Sequence, residues 1–161
     1  MTAPLAEFLG TMLLILLGDG VVANVVLKQT KGHDSGWIVI TTGWALAVTV
    51  AVYCTNSISG AHLNPAVTLG LASIGKFSWS LVPAYLAAQM AGAFAGAVLV
   101  WLIYLPHWRA TNDAGSKLAV FCTGPAIRHT GSNLIGEIIG LLQSPIKNVI
   151  SGLQGSGGQK I

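Results

Sequence analysis

Apolar residues in this chain gather in long blocks, not in the short periods of a half-buried helix or strand. Leu5 to Leu27 is nearly continuous hydrophobic sequence, interrupted mainly by Glu7, Asp19 and Asn24. About 20 mainly apolar residues cross the hydrocarbon layer as a helix, so this block predicts a first span. Lys28 to Ser35 is a short polar connection. From Ser35 to Gly75 there is no Asp, Glu, Lys or Arg. One helix of that length would run to roughly 60 Å, about twice the hydrocarbon thickness. The chain must therefore fold back within it. Thr55-Asn56-Ser57-Ile58-Ser59-Gly60 is rich in turn formers, and Asn64-Pro65 restarts a helix. The expected elements are a second span over Trp37–Thr55 and a short half-helix over Pro65–Ile74.

A third span is expected over Leu81–Leu105. Within it Ala84, Ala88, Gly92 and Gly96 recur every four residues, a stripe that would let helix backbones approach closely in lipid. Trp37, Trp79, Trp101, Tyr104 and Trp108 fall near span ends, where aromatic belts form. Pro106 to Gly131 reads as a polar loop. A fourth span begins over 132–142, and 143–161 reads as a divergent, Gly/Ser-rich flexible tail. The fold class is thus an all-α membrane protein: residues 1–142 carry three spanning helices, one re-entrant half-helix and the start of a fourth span.

Composition agrees. Of 161 residues, 53% are hydrophobic and 8% charged, against about a quarter charged in soluble domains. The net charge of +3 is dispersed, with no basic run to follow a phosphate backbone, which argues against nucleic acid as a partner. Cys54 and Cys122 lack metal-ligand spacing, and Cys54, in an apolar segment, reads as an inert packing residue. No metal or cofactor is expected. Glu7 interrupts the first block and no basic residue precedes it, so that block reads as a permanent helix and not as a cleaved signal.

The segment with most chemistry is Ser59-Gly60-Ala61-His62-Leu63-Asn64-Pro65-Ala66-Val67-Thr68. Polar backbone at membrane depth survives only when buried in protein or lining a wet cavity. Asn64 stands where an N-cap belongs, and Pro65 at the first helical position, where its missing N–H costs nothing. Such a half-helix points its positive end forward. A capped Asn64 has an NH₂ left to donate to a hydroxyl or a water, and the arrangement suits neutral polar permeants while repelling cations. An ordinary capped turn is the plainer reading. Ser59 and His62 also suggest a hydrolytic pair, but no Asp completes it and no nucleophile elbow surrounds the serine. No enzyme is expected.

These ten residues closely resemble the first Asn-Pro-Ala box of the aquaporin superfamily. Ala6-Glu7-Phe8-Leu9-Gly10-Thr11 and Ala88-Gln89-Met90-Ala91-Gly92-Ala93 resemble its first- and third-helix motifs. The resemblance implies pore roles for Asn64, Pro65, Ala66 and His62, and bracing of the re-entrant loop by Glu7 and Gln89. His62 itself reads as packing against the loop, since no second ligand lies at metal spacing. Trp44, twenty residues before Asn64, matches the aromatic of the selectivity constriction in the glycerol-conducting branch. It lies about 10 Å deeper along a helix than Trp37, too deep for a belt, although lipid-facing or packing roles stay open. Phe121-Cys122-Thr123-Gly124-Pro125 resembles glycerol facilitators too. Asp19 fits either a bracing role or the outer vestibule.

Gly136-Glu137-Ile138-Ile139-Gly140-Leu141 echoes the first-helix motif, as inverted repeats in transporters do. Glu7 precedes Asn64 by 57 residues, so a second box falls near position 194, past Ile161. The chain is therefore expected to represent the N-terminal half of an inverted-repeat bundle, and by itself to leave the pore incomplete. The resemblance implies a passive channel for glycerol, small neutral solutes and water. It also implies a plasma-membrane location with a cytoplasmic N-terminus, and a homo-oligomer, a tetramer in the family. A non-conducting subunit that assembles with full-length relatives is the alternative. The positive-inside rule prefers the opposite orientation, because Lys28, Lys31, Arg109, Lys117 and Arg128 fall opposite Lys76.

Overall fold

A computed structural model describes residues 1–140, and within them the chain is helical with no strand. The elements are α1 (Ala3–Val26), α2 (Trp37–Ser59), α3 (Pro65–Ser73), a 3₁₀ turn (Trp79–Leu81), α4 (Val82–Ile103), α5 (Leu105–Ala110) and α6 (Ala114–Phe121). Residues 130–140 are also helical. Three helices, the last counted with its 3₁₀ lead-in from Trp79, are long and apolar enough to cross a bilayer. The expected tail, 143–161, lies outside the described residues, as do the last two residues of the expected fourth span.

Proline opens four of these helices, α1, α3, α4 and α5, at first-turn positions that have no intrahelical acceptor to satisfy. α2 runs four residues past the Thr55 expected from its turn-rich sequence. The hydroxyls there bond back onto their own helix, Thr55 Oγ1 to the Ala51 carbonyl at 2.8 Å and Ser59 Oγ to the Thr55 carbonyl at 3.4 Å. Polar side chains thus satisfied need no turn. Gly60, at φ 80°, ends the helix in the left-handed region, its N–H on the Asn56 carbonyl at 3.0 Å, the favoured stop for glycine.

α1 is the hub. Gly10 faces Thr55 and Gly18 faces the Trp44 ring, while Gly43 faces Val21, so α1 and α2 run antiparallel. Gly92 lies over the Phe8 carbonyl and Gly96 over that of Met12, so α4 runs parallel to α1. A Cβ on Gly96 would stand 2.6 Å from the Met12 carbonyl oxygen. Only a bare Cα permits that approach.

The small-residue stripe is narrower than expected. Gly92 and Gly96 are buried, Ala88 is partly buried and Ala84 is exposed. Steps of four residues advance about 40° around a helix of 3.6 residues per turn, so Ala84 has rotated about 120° away from Gly96. The face that packs is Val82, Tyr85, Gln89, Gly92, Gly96 and Val100. Beyond it, Ala23, Leu27, Val100 and Val120 close the far end of the bundle with Tyr104 and Trp108 packed against them. Those two aromatics therefore pack inward, whereas Trp37 and Trp79 are well exposed at span ends. The expected polar loop after Pro106 contains two short helices. Asp113 nucleates α6, its carboxylate accepting from Ser116 Oγ (2.7 Å) and from the Ser116 and Gly115 N–H groups. The Ser116 side chain first, then these N–H groups, hold the Asp113 carboxyl below its usual range. Cys54, expected to pack inside, is exposed on α2, and Cys122 is exposed as well.

Candidate functional site

Glu7 is the fifth residue of α1, about 6 Å inside its start, and Gln89 lies about 10 Å inside the start of α4. Both are almost fully buried, and both reach the segment between α2 and α3. Glu7 Oε1 accepts from Ser59 Oγ (2.6 Å) and the His62 N–H (3.0 Å). Its Oε2 accepts from the Leu63 N–H (2.7 Å) and Gln89 Nε2 (2.8 Å). Gln89 Nε2 also donates to Thr68 Oγ1 at 3.0 Å, and Tyr85 donates its hydroxyl to the Ser59 carbonyl at 2.9 Å. The loop consequently lies at the depth of Glu7 and Gln89, within the span, and not beyond the helix ends.

That bracing sustains an uncommon backbone. Gly60, Ala61 (φ 47°) and Leu63 (φ 51°) all have positive φ, a region that costs non-glycine residues strain of about 1–3 kcal/mol each. The Glu7 acceptors fix two N–H groups within this turn, those of His62 and Leu63. Among the described residues no protein donor meets the carbonyls of Gly60, Ala61, His62 or Leu63, which leaves a run of acceptors. His62 turns into the bundle, its Nδ1 3.1 Å from Thr68 Oγ1 and its ring against Phe77 and Tyr85. Its side chain is packing, and only its backbone is left for the open side.

Asn64 caps α3. Its Oδ1 accepts from the Ala66 N–H at 2.8 Å, which assigns the amide and leaves the NH₂ directed away from the helix. Asn64 is exposed, while Pro65 and Ala66 beside it are partly buried. Among the described residues the NH₂ has no protein acceptor. An unpaired donor at the positive end of a helix therefore stands next to four unpaired carbonyls.

Trp44 lies elsewhere. Its ring packs on Gly18 of α1, while the loop's Leu63 packs at Gly10, about 12 Å nearer the start of that helix. The structure thus brings Glu7, Gln89, His62 and Asn64 together and sets Trp44 at a second level. Trp44 lines a cavity of about 450 Å³ with Val22, Val26, Trp37, Ile40 and Thr41 on one side. Ala119, Cys122, Thr123 and Gly124 close the other. Sequence reasoning noticed the 121–125 segment but did not place it against Trp44; no pattern of spacing connects residues so far apart. Thr68 and Tyr85 were missed as partners of the loop, and their only signal was a polar residue within an apolar block. Groups of three His, Cys, Asp or Glu able to hold a metal are absent among the described residues.

A family profile described as major intrinsic protein matches residues 1–144. Over 161 residues the chain is 63% identical to a probable glycerol uptake facilitator protein of Thermotoga maritima, covering all of this chain and 67% of that one. Over 140 residues it is 55% identical to the glycerol uptake facilitator protein of Bacillus subtilis, covering 87% of this chain and 51% of that one. Among solved structures, the aquaglyceroporin of Plasmodium falciparum is similar with a TM-score of 0.62 and 40% identity. That match covers 66% of this chain and 43% of the other. The chain therefore spans from about half to two thirds of the curated relatives named here.

Proposed function

Since this chain belongs to the major intrinsic protein family, an integral membrane channel family and not one of enzymes, we propose that it builds a wall of a passive pore. The proposed permeants are glycerol, small neutral solutes and water. The single observation that carries the reading is Asn64. Its oxygen is spent on the cap, and among the described residues neither its NH₂ nor the carbonyls of residues 60–63 have a protein partner. A hydroxyl both donates and accepts. A polyol or a water passing this level meets an acceptor row and a donor in sequence, and its lost hydration is replaced. A cation meets the positive end of α3 instead. Trp44 supports the same cargo at its own level. A flat indole in a mainly apolar cavity gives the carbon skeleton an apolar surface, with Thr41 and Thr123 as hydroxyl-bearing residues in its lining. The names of the relatives point to glycerol as well.

In this reading Pro65 and Ala66 shape the pore-facing start of α3, and Glu7 and Gln89 keep the loop at depth. The bilayer is the solvent, the location is the cell's plasma membrane with the N-terminus cytoplasmic, and the assembly is oligomeric. The test separates cap from donor. Asn64→Asp keeps a capping oxygen, because Asp and Asn cap about equally well, yet removes the NH₂ and adds an anion. With the chain joined in vesicles to the C-terminal half of a full-length relative, the variant is expected to keep its thermal stability, lose most glycerol flux and gain a cation leak under a potential-sensitive dye. Unchanged glycerol flux with no leak refutes the role of Asn64.

A further inference from the structure

At the far end of α1 a histidine sits between a cation and an anion. His33 Nε2 is 2.9 Å from Lys28 Nζ and 3.3 Å from Asp34 Oδ2, and its Nδ1 is buried without a partner. One ring nitrogen cannot serve both neighbours. When the imidazole is neutral, Nε2 accepts from the Lys28 ammonium, and Nδ1–H is left buried without an acceptor. When it is protonated, Nε2–H donates to Asp34, and the ammonium is displaced by a like charge. Histidine changes charge in the physiological range.

Lys28 is tied to the opposite wall. Its backbone N–H donates to Thr111 Oγ1 at 2.9 Å, and its carbonyl is 3.2 Å from His107 Nδ1. Its charge also acts on Asp113 at the start of α6. Lys28, His33, Asp34 and Ser116 line one cavity, which shares Val26, Trp37 and Ile40 with the cavity of Trp44. The charged groups of its own connection are Lys28, Lys31 and Asp34; α6 brings Ser116 to the cavity and the start of α2 brings no charge, while His107 of α5 meets the Lys28 carbonyl and Asp113 caps α6 at Ser116.

We propose that His33 is a proton-operated latch: in acid it takes Asp34 as partner and releases Lys28 to Asp113, which draws α6 and the Cys122–Gly124 segment inward and narrows the Trp44 cavity. The consequence for permeation rests on reading that cavity as part of the pore. The narrowing itself does not, and can be read without flux.

Cys122 reports it. In a Cys54→Ser background, the full chain in vesicles is labelled at Cys122 with a polar thiosulfonate between about pH 8 and pH 5. The His33→Gln variant serves as reference, so that the thiolate's own pH dependence cancels. The rate ratio of parent to His33→Gln is expected to fall about threefold on acidification. His33→Arg, a permanent cation, is expected to label slowly at every pH. Lys28→Met is expected to lose the fall, and His107→Gln to keep it. Parallel profiles for the parent and His33→Gln overturn the latch, as does a parent-like fall in Lys28→Met. A pH-dependent labelling ratio together with unchanged glycerol flux in the Asn64→Asp test leaves the latch standing and counts against the proposed cargo.

Discussion

Glu7 collects donors from α2, the re-entrant loop and α4. Hydrophobic burial contributes little to helix association in lipid, and interhelical hydrogen bonds there average about 0.6 kcal/mol. Glu7 differs because two of its donors are backbone N–H groups in a positive-φ turn with no other acceptor. Glu7→Gln replaces one acceptor oxygen by an NH₂ facing one of those N–H groups, and is expected to lower stability by about 2 kcal/mol. Thermal unfolding of the full chain in detergent checks this. The complementary change Gln89→Leu leaves Thr68 and Glu7 each one donor short and is expected to cost less, since both keep other partners. A reversed order of the two variants would show that Gln89, and not Glu7, organises the loop. The sequence announced Glu7 and Gln89 as polar residues in apolar blocks, which need partners. It did not announce which partners, because Ser59, His62 and Leu63 lie 52 to 56 residues from Glu7 and Thr68 lies 21 residues from Gln89.

At the scale of elements, the α1–α4 seam separates residues that sequence spacing grouped together. Gly92 and Gly96 meet the α1 backbone, which cannot move aside as a side chain can, whereas Ala84 meets no neighbour that buries it. Gly96→Val is therefore expected to destabilise the bundle by at least about 1–3 kcal/mol, the usual cost of overpacking. Ala84→Val is expected to stay within about 0.5 kcal/mol, as exposed changes do. Midpoints of unfolding for the two variants decide between a seam of four residues and one of two. The stripe was visible in sequence as a four-residue repeat, but a helix turns every 3.6 residues, and only the crossing with α1 selects which members touch. The extension of α2 to Ser59 has the same origin. Turn-forming residues stayed helical because their hydroxyls found acceptors on their own helix and on Glu7.

For the whole molecule, the parallel course of α1 and α4 puts Lys28, His107 and Thr111 at one end, with Lys76 beyond α3 at the other. The proposed cytoplasmic N-terminus then leaves the more basic end outside, against the charge rule. Single cysteines placed at Lys31 and at Lys76, in a background free of Cys54 and Cys122, are expected to label from opposite faces of sealed vesicles. The Lys31 site is expected to react from outside in intact cells. Reaction of the Lys76 site in intact cells would invert the orientation, and reaction of both from one face would break the three-span topology.

Block hydropathy, a 41-residue stretch without charge and Asn-Pro at a helix start settle by local physics that this chain spans the membrane three times and folds back once. Those features follow from what a bilayer tolerates, and each is written within a few turns of helix. Tertiary structure alone decides which buried atoms meet. It selects the four donors of Glu7, turns the His62 side chain inward while its carbonyl stays free, and sets Cys122–Gly124 against Trp44. These pairings join residues far apart in the chain, so they depend on how α1, α2 and α4 cross, and no local pattern encodes a crossing.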